Sequence, residues 1–341
     1  MRATDNHEEQ MLRAAELYYY QASTQSEIAD KLGVTRWTVG RLLDEARKTG
    51  LVRIVIDHPR ARRHELEVEL RREFGLREVM VLPSQHSPAA TMKSVCSMAA
   101  EQLCNIRPAI RKIAVSWGRT TAEVAANLPQ GWARDLEVIQ TNGGPSFVRG
   151  NPIGNSLHVM AESGGGTVRR LEAPTILEDA WAAKLLRADR SVAATFRAAE
   201  SCRVMLFSPG SMRPESVLVQ SGYLSVEQMD EMRRAGAVGD VMSHFITSAG
   251  TPAAPELDDR TLSIPLSAVR SCANSIAVAA GVEKAECTRA VVLSGLCTTL
   301  IVDSAIAKAL LSEPPKTHEE ESGARPAPLS ATHSQGREQW Q

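Results

Sequence analysis

Four glycine-bearing turns hold the residues of this chain best suited to chemistry. Ser116-Trp117-Gly118-Arg119-Thr120-Thr121 combines hydroxyls and a guanidinium with a glycine that permits close approach to the backbone. If a helix begins there, its free N–H groups add a positive end, and the segment becomes a cradle for a phosphate or a polyol oxygen. Gly281-Val282-Glu283-Lys284 repeats the arrangement and places an ammonium at a helix start. Gly236-Ala237-Val238-Gly239-Asp240 sets a carboxylate where it can accept hydrogen bonds from sugar hydroxyls, and Thr141-Asn142-Gly143-Gly144 offers an amide. The plainer reading of each turn alone is a tight connection beside a solvated charge. No G-x-G-x-x-G and no G-x-x-x-x-G-K-[ST] occurs, so neither a dinucleotide cofactor nor nucleoside triphosphate hydrolysis is indicated. Six scattered cysteines form no C-x-x-C, and eight histidines show no ligand spacing, which argues against zinc and against a disulfide frame.

A second chemistry, the reading of DNA, is written between Thr24 and Ala46, TQSEIADKLGVTRWTVGRLLDEA. Two helices that cross over a short turn need particular residues at fixed offsets. Counting from Gln25, Ile28 is fourth and Ala29 fifth, where only a small side chain lets the helices approach. Gly33 is ninth, in the turn, while Val39 and Leu42 fall fifteenth and eighteenth on the inner face. Thr24 with Glu27 has the capping-box spacing, and Thr35 can cap the second helix. That leaves Arg36, Trp37, Thr38 and Arg41 for the major groove, with Gln25 and Thr35 at the helix starts. The segment from Lys31 to Arg63 holds nine Lys or Arg against three acids, although the whole chain carries a net charge of −1. Its attraction to phosphate is therefore local.

These residues need elements to hold them. Met11 to Tyr20 reads as a helix whose Leu12, Ala15 and Tyr19 pack beneath the helix pair. Leu51 to Ile56 is β-branched enough to be a wing-like strand, with Arg53 reaching the DNA backbone. His64 to Phe74 is a helix with an apolar stripe of Leu66, Leu70 and Phe74. From about Val79 the texture changes to apolar runs that end in the glycine turns and lead into helices: 112–116, 136–140, 203–207, 275–279 and 298–302. Such runs indicate a parallel sheet covered on both faces, with ligands beyond the carboxyl ends of its strands. At 341 residues, 43% hydrophobic and 23% charged, the composition is that of a globular protein of two domains.

The expected organisation is a winged-helix-like DNA-binding domain over 1–62, a linker or oligomerisation helix over 63–78, an α/β effector domain over 79–313 and a disordered tail over 314–341. The effector domain is expected to carry a mostly parallel sheet. No apolar run approaches the length of a membrane span, the start MRATDNHEEQ is too polar for a signal peptide, and the thiols suit a reducing cytoplasm.

Together these segments resemble a known family. YYYQASTQSEIADKLGVTRWTVGRLLDEARKTGLVRIVI, VSWGRTTAEVAANL, VIQTNGGP, RAGAVGDVMSHF, AVAAGVEKAECTRAVV and LIVDSAIAKALL follow the order of the SorC family of sugar-responsive bacterial transcriptional regulators, over about residues 10 to 312. The resemblance implies an α/β effector domain similar to sugar-phosphate isomerases and coenzyme A transferases, with a doubly wound sheet, a tetramer or dimer of dimers, and operator binding altered by a phosphorylated sugar or polyol. It implies that Gly118, Arg119, Thr120 and Thr121 hold the phosphate with Lys284, while Asn142, with Gly143 beside it, and Asp240 meet the carbon skeleton. Three departures stand out: Gly40 where relatives usually carry serine, Leu206-Phe-Ser-Pro-Gly210 at a strand end, and the added flexibility of Gly164-Gly165-Gly166.

An enzyme is the rival expectation, a sugar-phosphate isomerase with a DNA-binding appendage. It needs a general base, for which Asp240 and Asp303 are the available carboxylates, yet no acid/base pair and no histidine stand in any glycine turn. A purely architectural DNA binder would not need about 230 residues of α/β sheet. The sequence therefore predicts a cytoplasmic regulator, without cofactor or catalysis, whose partners are operator DNA, a sugar phosphate and further copies of itself.

Overall fold

The computed structural model describes residues 2–52, 62–144 and 152–312. The chain divides between Ala61 and Arg62 into two compact units.

Among its described residues the first unit contains three helices, α1 (Arg2–Tyr19), α2 (Gln25–Leu32) and α3 (Arg36–Lys48). Thr24 caps α2 with the full reciprocal box: its hydroxyl accepts the Glu27 amide at 3.3 Å, and Glu27 accepts the Thr24 amide at 2.8 Å. Gly33 ends the helix in the left-handed conformation at φ 66°, which costs a glycine nothing. Thr35 then caps α3 by accepting the Thr38 amide. Ile28, Ala29, Val39 and Leu42 are all buried in one small core. The face of α1 that closes this core is made by Met11, Ala14, Ala15 and Leu17, and Leu12 is 46% exposed. Of the expected stripe only Ala15 is inside; α1 carries apolar residues on both sides, so periodicity alone did not select the face. Leu51 and Val52 form bends, and the remainder of the expected wing, Arg53 included, lies outside the described residues, as does the tail.

The second unit is built on seven parallel strands: β1 (Glu78–Leu82), β2 (Lys112–Val115), β3 (Glu137–Gln140), β4 (Thr167–Arg169), β5 (Val204–Phe207), β8 (Asn274–Ala279) and β9 (Thr299–Asp303). Their order is β1-β9-β8-β5-β2-β3-β4. A separate antiparallel pair, β6 (Gly239–Val241) and β7 (His244–Ile246), completes the set. Apolar clusters cover both faces of the large sheet. From β2 the chain winds outward through β3 and β4, then returns to β5 and winds the other way, so the sheet is doubly wound and reverses between β2 and β5. A crevice must open there between the strand ends.

Helix α4 (His64–Phe74) belongs to this unit. Leu70 is fully buried in its core, with Leu66 and Phe74 packed against it. The stripe expected of a linker or oligomerisation helix is thus consumed within one subunit. Gly164 and Gly166 supply close packing in place of flexibility, because a Cβ on Gly166 would meet the Leu136 carbonyl oxygen at 1.8 Å, while Gly165 between them turns the chain at φ 60°. Among the described residues no helix is long and apolar enough to cross a membrane.

Candidate functional site

A cavity of about 900 Å³ occupies the crevice where the winding reverses. Its floor comes from the turns that follow β2 and β5. Helix α6 (Arg119–Ala126) starts at the end of the first, preceded by Gly118, so Thr120 stands in its first turn. (Helix α5, Pro88–Asn105, packs alongside.) After β5, Ser208-Pro209-Gly210 lines the opposite side. Lys284, in the short 3₁₀ turn Val282–Lys284 after β8, reaches between them. Its ammonium donates to Ser208 Oγ at 2.8 Å and to Thr120 Oγ1 at 3.1 Å, and Ser208 donates to Thr120 at 3.2 Å.

The charge of Lys284 is poorly compensated. Desolvation lowers its pKa from the ordinary lysine value, and Arg119 pushes in the same direction, against a pull from Asp240. Among the described residues no carboxylate forms a salt bridge with it. An ammonium held by two neutral hydroxyls in a cleft is a strong attractor for an anion, whose bonds to it are charge-assisted. The amino end of α6 points its free N–H groups into the same space.

The roof is the β6–β7 pair. Its two-residue turn, Met242-Ser243, has φ of 51° and 73°, the left-handed pair of a type I′ turn. This turn brings Asp240, Met242 and Ser243 over the cavity. Asp240 accepts the Ser243 amide at 3.0 Å. Asn142, beyond β3, donates to the Ser243 hydroxyl at 3.0 Å, which ties roof to floor. Gly210 is required here: a Cβ on it would fall 1.8 Å from Asp240 Oδ1. That gives the unusual strand end Leu206–Gly210 a purpose, room for the carboxylate.

Desolvation holds the Asp240 carboxyl above its usual range, with the Ser243 amide, Lys284 and His244 pulling it back. A carboxyl raised in the folded state contributes stability that is full below its unfolded pKa and is lost as pH rises through the folded one. Asp240→Asn removes a partly desolvated charge while keeping an oxygen for Ser243. Without effector at pH 7.5, this variant is expected to melt above the wild type, with the gap closing as pH falls through the carboxylate range. A lower melting temperature at pH 7.5 would show that the attraction of Lys284 outweighs the burial cost.

Of the eight expected effector residues, Gly118, Arg119, Thr120, Asn142, Asp240 and Lys284 line the cavity. Thr121 and Gly143 do not. The Thr121 hydroxyl turns back to the Gly118 carbonyl at 3.1 Å. Gly143 is wedged against Pro174, and its carbonyl accepts Trp117 Nε1 and the Thr175 hydroxyl. Ser208, Gly210 and Ser243 belong to the site and were not among the expected residues; the hydroxyl of Ser208, at a strand end, was the available signal.

Asp303, the other carboxylate considered as a base, does not line the cavity, and both its oxygens accept hydrogen bonds from neighbouring turns. The thiols flanking the floor, Cys96 and Cys287, are pushed up by burial, Cys96 to about 12, so neither is a ready nucleophile. Among the described residues no group of three His, Cys, Asp or Glu side chains could hold a metal ion.

In the first unit, Arg36, Trp37 and Arg41 share the outer face of α3, and Trp37 is 71% exposed. The Arg41 guanidinium lies over the Trp37 ring, 5.1 Å from its centroid. Thr38 and Gln25 are half-buried, and Thr35 is engaged as the cap. Gly40 leaves open space, since nothing lies within 4 Å of where its Cβ would stand.

A parallel sheet with a polar crevice at its reversal point has the form of a ligand-binding domain, and among the described residues a small unit of three helices precedes it. The family model described as "Putative sugar-binding domain" matches residues 58–312, and the chain belongs to this family of SorC-type, sugar-binding transcriptional regulators. The deoxyribonucleoside regulator of Bacillus subtilis (strain 168) is 28% identical over 304 residues, covering 89% of this chain and 97% of that protein. Transcriptional regulator LsrR of Enterobacter sp. (strain 638) is 27% identical, covering 89% and 93%. The crystal structure of the full-length sorbitol operon regulator SorC from Klebsiella pneumoniae superposes with a TM-score of 0.67 at 26% identity, covering 90% of this chain and 99% of that one.

Proposed function

We propose that this protein regulates a carbohydrate-utilisation operon, binding operator DNA through α3 and a phosphorylated sugar or polyol in the cavity. One observation carries the reading: among the described residues the Lys284 ammonium, partly desolvated, donates to the Thr120 and Ser208 hydroxyls and to no carboxylate. A phosphate there takes the charge of Lys284, the α6 amino end with Gly118 and Thr120, and Arg119 from the rim. Asn142 and Asp240 face the carbon skeleton. Thr121 and Gly143 act behind the site, as a helix-turn lock and a packing hinge. The relatives named for a sorbitol operon and for deoxyribonucleosides support a carbohydrate as the effector class.

No reaction is part of this reading. Asp240 is a half-buried carboxylate at the cavity, and the other carboxylate considered as a base, Asp303, is engaged elsewhere. The site of action is the cytoplasm, where operator DNA lies. A single helix-turn-helix covers one half-site, so the working form is a dimer or tetramer on an operator with two-fold character. Sedimentation as a monomer at micromolar concentration, with and without DNA, would contradict that.

A thermal-shift screen tests the effector class. Sugar and polyol phosphates are expected to stabilise the protein by about 2.7 kcal/mol at a hundred times Kd, and their unphosphorylated parents by far less. Equal shifts from the parents would remove the phosphate from the reading. Conversion of an aldose phosphate to a ketose phosphate by the purified protein would establish the enzyme instead.

A further inference from the structure

Asp303 is a buried carboxylate outside the cavity, 1% exposed, at the end of β9. Its Oδ2 accepts the Gly281 amide at 2.8 Å. Its Oδ1 accepts the Ser84 hydroxyl at 2.8 Å and caps the helix Ser304–Ser312 through the Ala305 amide, also at 2.8 Å. Gly281 opens the turn that carries Lys284, whose amide donates back to the Gly281 carbonyl at 3.0 Å. Ser84 stands two residues beyond the end of β1, after Pro83. One side chain therefore ties the cavity turn after β8 to the ends of β9 and β1.

β1 is an edge strand, and its outer side is occupied by the first residues of the second unit. The Val81 amide donates to Glu67 Oε1 at 2.9 Å, and the Arg63 amide donates to the Val81 carbonyl at 2.7 Å. Arg62 holds the same carboxylate with both ends of its fork, at 2.7 and 2.9 Å, and reaches the Val79 carbonyl at 3.2 Å. His64 Nδ1 lies 2.9 Å from Glu67 Oε2. Glu67 is 2% exposed, so loss of one partner would strand a buried charge. Such networks hold as a whole or not at all. Arg62 is where the chain passes from one unit to the other.

We propose that Asp303 and Glu67 are positioning residues that carry the state of the Gly281–Lys284 turn through Ser84 and β1 to the Arg62 junction. This rests on the cavity being the effector site. An anion bound to the ammonium adds a contact that the empty turn lacks, and Asp303 shares its hydrogen bonds between the turn and β1. A remote response requires such a differential contact and a connected, stiff route. Neither residue touches the ligand.

Hydrogen exchange on the full chain tests the route, with ribose 5-phosphate and inorganic phosphate as probes. In the wild type a probe should slow exchange at least threefold in both segments 279–284 and 79–82. Asp303→Asn keeps a good helix cap but faces its NH₂ toward a donor. Slowing at 279–284 should survive in this variant and vanish at 79–82. Glu67→Gln should preserve both slowings while the effect of ribose 5-phosphate on affinity for a selected operator falls to within twofold of none. Melting temperatures establish that both variants are folded. If neither probe slows 279–284, the effector reading fails and the route falls with it. If 279–284 responds while 79–82 does not, or if both variants behave as wild type, the route alone is overturned.

Discussion

Replacing Arg36 or Arg41 by alanine is expected to weaken operator binding by roughly fivefold to 150-fold each, the range of one bidentate guanine contact. Both arginines stand on the open face of α3, whereas Val39 and Leu42 on its other face are buried in the core of the first unit. Neither guanidinium supports that core, so the melting temperature should stay at the wild-type value. Arg41 has a further property: stacked over Trp37, it is presented with part of its freedom already removed. Anisotropy titrations on an operator, at two salt concentrations, separate base reading from phosphate contact. A specific contact changes discrimination between sites, and a phosphate contact lowers the salt slope by about one. If both variants bind the operator as the wild type does, α3 is not the reading helix.

Lys284→Ala is expected to lower effector affinity by about tenfold to a hundredfold, because a charge-assisted hydrogen bond contributes roughly 1.5–3 kcal/mol. Effector-free operator binding should be unchanged, so the variant would hold its DNA and stop responding, as expected when a ligand loses its differential grip on one state. Lys284→Arg should not restore the response, since a planar fork does not fit where a compact ammonium meets Thr120 and Ser208. Calorimetry with the sugar phosphate found by thermal shift, beside an operator titration, reads both quantities. Unaltered effector affinity in Lys284→Ala would remove this lysine from the site.

The parts legible in sequence are those with short-range signatures. The strands at 112–115, 137–140, 204–207, 274–279 and 299–303 were visible as apolar runs closed by turns, each within a residue or two. The rule that ligands lie beyond strand ends then selected six of the cavity's residues. What stayed hidden depends on the direction a side chain takes. Thr121 and Gly143 sit in the right turns and face inward, a distinction that proximity along the chain does not carry. The β6–β7 pair was missed because Met242-Ser243 adopts a turn conformation usually marked by Asn-Gly, held here by Asp240 and Asn142. Gly166 read as flexibility because the Leu136 carbonyl that demands it lies thirty residues earlier.

The contacts that Arg62, Arg63 and Glu67 make along β1 have a consequence for solubility. A sheet edge with unpaired N–H and C=O groups is a template for strand addition by another molecule. Here the Val79 carbonyl and both backbone groups of Val81 are already taken, so the junction segment shields that edge from strand addition. A protease cut or a truncation that removed Arg62 to Glu67 would uncover that edge. A fragment of the second unit is therefore expected to stay monodisperse if it begins at Arg62 and to self-associate if it begins after Glu67, which light scattering on the two fragments would check.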